Sequence, residues 1–194
     1  MNILKDMPTQ YFDHFMLRSI KKSDALDMYA YGKMHEVTKT LSWGPMTSVR
    51  EAKKSINDIF LTRPKQGIPV GYAIVDLDNN KMIGTIDFHS KSSDKEVEIG
   101  YVIHKDYWNQ GIMTKALACI IEVGFEYYKY DKLIVKHLEN NPASGKVIEK
   151  NGFTYIKTLP YTFRKINGIL ASNMKVYEMT KENYNENKSS KRYI

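Results

Sequence analysis

One cysteine, Cys119, stands in the whole chain, so no internal disulfide can form, and a reduced, cytoplasmic setting is the expectation. Cys119 falls inside an apolar helical pattern and reads as a small packing residue. No run approaches the roughly 18 apolar residues that span a bilayer. The opening MNILKDMPTQYFDHF lacks an apolar stretch followed by a small-residue cleavage site, so no signal peptide is expected. Neither phosphate-binding signature, G-x-x-x-x-G-K-S/T or G-x-G-x-x-G, is present. His35, His89, His104 and His137 are scattered without metal-ligand spacing to cysteine or carboxylate; they read as surface or packing histidines, and no metal is expected. Ser144 lacks a G-x-S-x-G elbow, which argues against a serine hydrolase.

Charge is present but not concentrated. Lysine and arginine number 29 against 22 acidic residues, a net charge of +7. The Lys21-Lys22 and Lys53-Lys54 pairs sit on helix surfaces, and Lys188, Lys191 and Arg192 lie in a polar tail. No basic stripe is interleaved with aromatics, so a solvated face is favoured over a nucleic-acid partner. Hydrophobic content of 42% is ordinary for a globular protein and sustains a core. With no repeat and no linker, residues 1–180 read as one domain, followed by a frayed polar tail, 181–194.

The chain in order reads as a strand over 12–20, then a helix opened by Ser23-Asp24 and running to Lys33. A second short piece, Glu36–Trp43, helical or irregular, is broken by Gly44-Pro45. Ser48 and Glu51 form a capping box for a helix over 49–61. Strands over 70–77, 82–89 and 96–103 follow, joined at Asn79-Asn80 and over 91–94 as an antiparallel meander. A long apolar helix then leads to a strand over 133–136, which must lie parallel to the strand before it. Asn141-Pro142 opens a last helix that closes at Asn151-Gly152. Strands over 153–163 and 170–180, turning near Asn167-Gly168, complete the pattern.

The chain is organised around Val97–Ala118. Val97, Ile99, Tyr101 and Ile103 alternate with Glu98, Gly100 and Val102; a polar loop follows, and from Gly111 the period becomes helical. Unpaired N–H groups and the dipole at a helix start suit a phosphate, and glycine lets it approach. Taken alone, such a glycine reads more readily as a turn.

Two segments together, EIGYVIHKDYWNQGIMTKAL and NNPASGKVIEKNGF, resemble the GNAT superfamily of acetyl-CoA-dependent N-acetyltransferases. They resemble most the branch containing the ribosomal-protein N-terminal acetyltransferases. That branch carries E-I-G-Y on its fourth strand (Glu98 to Tyr101 here) and a Trp three residues before the helix-mouth glycine (Trp108 and Gly111). It also carries N-x-x-S (Asn141 and Ser144) followed by E-K-x-G-F (Glu149 to Phe153). The resemblance implies an α/β (α+β) fold: a mixed, mostly antiparallel seven-stranded sheet flanked by helices, with a parallel fourth-strand–helix–fifth-strand unit. It implies acetyl-CoA as co-substrate, its pantetheine arm along Tyr101, Val102 and Ile103, and its pyrophosphate on the N–H groups of Asn109, Gln110, Gly111, Ile112, Met113 and Thr114. Trp108 would brace that loop, Asn141 would bond the pantetheine, and Ser144 and Lys146 would lie close to the cofactor. Two positions depart from the pattern. Met113 stands where a small residue is usual, and Lys115 where Glu is common.

Acetylating an amine requires that an ammonium lose a proton, that the thioester oxygen meet a donor, and that the leaving thiolate gain a proton. Glu98 is the candidate base, acting through water; its alternative reading is a strand carboxylate paired with a lysine. The backbone N–H near Val102 is the candidate donor, and Ser144 and Tyr101 are candidate acids. Trp43 borders the acceptor site in similar proteins, or anchors the core. The expected activity is acetyl transfer to a primary amine, foremost a protein N-terminal α-amino group of ribosomal-protein type. The alternatives are a small-molecule amine (polyamine, amino acid or aminoglycoside) and a non-catalytic acyl-CoA-binding module. No membrane partner is expected, and the chain is read as a monomer or homodimer.

Overall fold

Segments that alternate or run apolar in sequence assemble into one sheet. The computed structural model, which describes residues 4–165 and 168–191, orders eight strands as β1-β2-β3-β4-β5-β6-β8-β7. These are β1 (Gln10–Phe12), β2 (Phe15–Ser19), β3 (Tyr72–Asp76), β4 (Lys81–Lys91), β5 (Glu96–Ile103), β6 (Lys132–Leu138), β7 (Thr154–Lys165) and β8 (Gly168–Thr180). Every neighbouring pair is antiparallel except β5 with β6. The expected seven strands become eight because the stretch over 12–20 breaks. Asp13 takes φ +47°, and Phe12 pairs with Phe15 across the tight turn. The turn expected near Asn167-Gly168 involves Ile166 and Asn167, which lie outside the described residues.

The helices are α1 (Ala25–Gly32), α2 (His35–Thr38), α3 (Val49–Asp58), α4 (Ile112–Glu122), α5 (Pro142–Lys150) and α6 (Lys181–Lys191). In β4, side chains of both parities are buried, from Met82 and Ile83 to Ile86 and Phe88, so the middle of the sheet is covered on both faces. α4 buries Ala116, Leu117, Ile120 and Ile121, runs on through a π turn over Val123–Tyr127, and provides the crossover that a parallel pair requires.

Two helix ends differ from the sequence reading. α3 stops at Asp58 and gives way to a 3-10 stretch, Phe60–Gln66, which ends at Gly67 with φ +72°. Only half of the capping box forms. Ser48 Oγ accepts from Glu51 N at 3.4 Å, while the Glu51 carboxylate turns to Thr47, accepting from its N–H at 2.8 Å and its hydroxyl at 2.6 Å.

The segment expected to fray is helix α6. Its mean composition is polar, but one aromatic anchors it: Tyr184 stacks on the fully buried Phe125, ring centroids 4.8 Å apart. Lys181 Nζ donates to Phe125 O at 3.3 Å and to Glu126 Oε1 at 3.2 Å. Tyr184→Ala is expected to cost about 1–3 kcal/mol, seen as a lower denaturation midpoint with an unchanged slope; an unaltered midpoint would show that α6 contributes no stability.

Candidate active site

The sheet forks in the middle. β5 and β6 pair in parallel at Glu96–Lys132, Val97–Leu133, Glu98–Ile134 and Ile99–Val135, and no further. Beyond Ile99, β5 keeps only β4, with Gly100 opposite Asp87 and Ile103 opposite Gly84, while β6 stays with β8 to Leu138. One edge of Gly100–Ile103 is left without a strand partner. A backbone edge of this kind needs another hydrogen-bonding partner.

From the end of β5, a 3-10 turn at Lys105–Tyr107 leads to two left-handed residues, Asn109 (φ +60°) and Gly111 (φ +76°). Gly111 caps α4, and no side chain caps the helix. A Cβ placed on Gly111 would meet nothing within 4 Å, so glycine is set here by backbone conformation, and the space before the helix mouth is open. Ile112 and Met113 are buried, and the N–H groups of a first helical turn have no intrahelical partner. The unusual Met113 is buried in the core and also reaches the cleft wall. Lys115 is turned away, its Nζ 2.5 Å from Asp13 Oδ2. Trp108 Nε1 donates to Ile103 O at 3.0 Å, fastening the loop to the end of β5. Gln110 Nε2 donates to Asp106 O at 2.8 Å.

α5 closes the other side. Asn141 Oδ1 accepts from Ser144 N at 3.3 Å, and its Nδ2 donates to Thr40 Oγ1 at 3.3 Å. Ser144 Oγ lies 2.7 Å from Tyr101 Oη, which also donates to Ser144 O at 3.1 Å. Burial pushes the Tyr101 phenol well above its ordinary value.

Fork, loop and α5 open into one cleft of about 970 Å³. It gathers Tyr101, Val102, Ile103, Trp108, Asn109, Gly111, Ile112, Met113 and Thr114 from β5 and the helix mouth. Asn141, Ser144 and Lys146 come from α5, and Trp43 and Glu98 complete the set. Among the residues singled out from sequence, Gln110 alone does not line it.

The lysine pairing given as the alternative reading of Glu98 is present, while His89 and Asp87 beside it were missed. Glu98 Oε2 accepts from Lys136 Nζ at 2.7 Å, and His89 Nε2 lies 3.3 Å from Glu98 Oε1. Asp87 continues the row, contacting Arg63 Nη1 at 3.0 Å; both side chains are buried, and the guanidinium rests on the Phe60 ring. Burial alone would raise the Glu98 pKa, but His89 and Lys136 outweigh it and hold the carboxylate below its ordinary range. Burial would likewise favour neutral His89, but Glu98 and Asp87 prevail and raise its pKa. No period-two signal could have found His89 and Asp87, since Ser90 and not His89 stands opposite Glu98 in the strand register. By contrast, His137 is a packing histidine, its Nδ1 2.8 Å from Leu138 O and its pKa lowered by burial.

The site can be set beside known proteins. A family model described as an acetyltransferase (GNAT) domain matches residues 14–154. The chain belongs to the GNAT acetyltransferase family. An uncharacterized N-acetyltransferase of Bacillus subtilis, YoaA, is 29% identical over 143 residues, 73% of this chain and 80% of that protein. The ribosomal-protein-serine acetyltransferase of Escherichia coli is 24% identical over 155 residues, 71% and 84% of the two chains. In fold, this acetyltransferase superposes on RimL, a ribosomal L7/L12 α-N-protein acetyltransferase solved with coenzyme A, with a TM-score of 0.75 at 21% identity, covering 91% and 98% of the chains. Among the described residues, no helix is long and apolar enough to cross a membrane.

Two predictions follow from this geometry. A Cβ at Gly84 would press on the backbone of Val102 and Ile103, so Gly84→Ala is expected to destabilise by about 1–3 kcal/mol and to weaken coenzyme A binding in calorimetry; unchanged affinity would separate the fork from binding. The His89–Glu98 pair gives a pH window. A depressed Glu98 contributes stability above 4.5, lost as pH falls through its folded value. A raised His89 contributes below 6.5, lost as pH rises through its folded value. A double-mutant cycle with His89→Gln and Glu98→Gln is therefore expected to show its largest coupling between pH 4.5 and 6.5, about 0.5–1 kcal/mol after solvent screening.

Proposed function

We propose that this enzyme acetylates a primary amine, the α-amino group of a protein N-terminus of ribosomal-protein type, using acetyl-CoA. The observation that carries the reading is the fork: an unpartnered β5 edge continues into an uncapped helix mouth, and both open into the cleft that holds the ionisable row. These residues fit the coenzyme. The edge over Tyr101–Ile103 suits its amide-bearing arm, the N–H groups of Asn109 to Thr114 suit its pyrophosphate, and Asn141, Ser144 and Lys146 flank the arm from α5. Bound there, acetyl-CoA supplies an acetyl group activated as a thioester.

The chain's own groups divide the remaining work. The backbone N–H near Val102 meets developing negative charge on the carbonyl oxygen. Ser144 Oγ and Tyr101 Oη share a hydrogen bond of 2.7 Å, which positions a proton for the leaving sulfur. The Glu98–His89 pair faces the acceptor, and with Asp87 it suits an ammonium group. Trp43, about one-third exposed on the cleft wall, borders the acceptor's path. The ribosomal-protein acetyltransferases among the similar proteins support a peptide acceptor. A small-molecule amine is the second reading, favoured by the enclosed Arg63–Asp87 end of the cleft.

The test is thiol release from acetyl-CoA on hexapeptides beginning with serine or alanine, beside polyamines, amino acids and aminoglycosides. Peptides are expected to exceed small amines by about tenfold or more in kcat/KM. Turnover of small amines alone would overturn the peptide acceptor and keep the acetyl transfer.

A further inference from the structure

His89 occupies the centre of the cleft's charged end because its strand carries an extra residue. Phe88 pairs with Ile99 and Ser90 with Glu98, which leaves His89 in a bulge. A bulge re-aims the side chain it carries. The imidazole lies over Gly100, where an added Cβ would come within 2.6 Å of Nδ1. Gly100 is the first residue of β5 beyond its pairing with β6. The ring therefore sits at the fork.

Its two nitrogens differ. Nε2 is 3.3 Å from Glu98 Oε1, whereas Nδ1 is 3.9 Å from Asp87 Oδ1, beyond hydrogen-bond reach. The nearer carboxylate favours the proton on Nε2, the tautomer that leaves the lone pair on Nδ1. The charged groups around it are Asp87 on its own strand, Glu98 on β5, Arg63 on the 3-10 stretch, and Lys136 on β6, which acts through Glu98. Glu98 has both oxygens engaged, Oε1 with His89 and Oε2 with Lys136 and Ser90.

Building on the acetyl-transfer reading, we propose that His89 Nδ1 takes the proton from the acceptor ammonium and that Glu98 is a positioning residue, fixing the tautomer and steadying the imidazolium. In this step an ammonium N–H bond breaks, its electron pair stays on nitrogen as the nucleophilic lone pair, and the proton bonds to Nδ1. The partly exposed ring then returns the proton to water. A carboxylate held below its range is a weak base, whereas an imidazole raised above 6.5 is matched to neutral pH.

The test is kcat against pH with acetyl-CoA and a saturating serine-initiated hexapeptide, for wild type, H89Q and E98Q. It is joined to an NMR titration of 13C-labelled histidines in which His89 is assigned by its absence from H89Q. The peptide's own amine titrates alike in all three proteins, so the differences between them are the readout. Wild-type kcat is expected to rise through a limb above pH 6.5 that coincides with the His89 midpoint. E98Q is expected to keep kcat within about tenfold and to move both limb and midpoint to lower pH. H89Q is expected to lose about 100-fold in kcat and the limb itself, with peptide KM within about twofold and coenzyme A still bound. A wild-type limb below pH 4.5 that vanishes in E98Q would overturn the assignment, as would H89Q within about threefold of wild type or a His89 midpoint below 6.5. A wild type that binds acetyl-CoA and releases no thiol would count against the acetyl-transfer reading, while the NMR midpoint would still decide whether His89 has the required ionisation.

Discussion

Two strands that pair and then part impose a debt on a protein interior, because each backbone N–H and C=O along the opened edge must find a partner. In this acetyltransferase the parting falls immediately after Ile99, and the surrounding elements serve it. α4 is the crossover that makes the pair parallel, and its uncapped mouth opens beside the same edge. α5 spans the gap from the β6 side, tied across by the Tyr101–Ser144 bond. The rest of the sheet is continuous on both sides of the fork.

The second constraint is electrostatic. Arg63, Asp87, His89, Glu98 and Lys136 form a row of alternating sign in a partly desolvated place. Removing water from charges costs several kcal/mol per ion unless each finds a partner. The pairing here is close: Arg63 with Asp87 at 3.0 Å, Lys136 with Glu98 at 2.7 Å. With both ends neutralised, the histidine is the member of the row free to change charge near neutral pH. Loss of one outer member would leave its partner uncompensated and would change the histidine's field from a distance.

Much of this was legible in the sequence because it is local. Glu98 to Thr114 and Asn141 to Lys150 are contiguous stretches, so strand, loop and helix starts could be read by period and spacing, while the roles of their residues came from the family resemblance; most of these residues line one cleft. The charged row was not legible, because its members come from a 3-10 stretch, β4, β5 and β6, and a bulge shifts His89 out of the period-two pattern. The split of the first strand rests on a positive φ at Asp13, which an aspartate tolerates without announcing it. Composition misjudged α6 because averages over a polar segment hide one well-placed tyrosine. Glu51 chose Thr47 over the reciprocal cap, a competition between adjacent hydroxyl residues that the motif alone does not resolve.

The stacking of Tyr184 on Phe125 also bears on how the chain is made. α4 and its π turn are synthesised before β6, β7 and β8, and the tyrosine that covers Phe125 follows all of them. On the ribosome, the helix that begins at Gly111 thus emerges with an aromatic face bare, and it stays so while the remaining strands are added. Chains growing from the N-terminus at about 5–20 residues per second pass through that stage for several seconds. In that interval the far end of α4 is a sticky surface on a nascent chain, and the arrival of α6 ends the exposure.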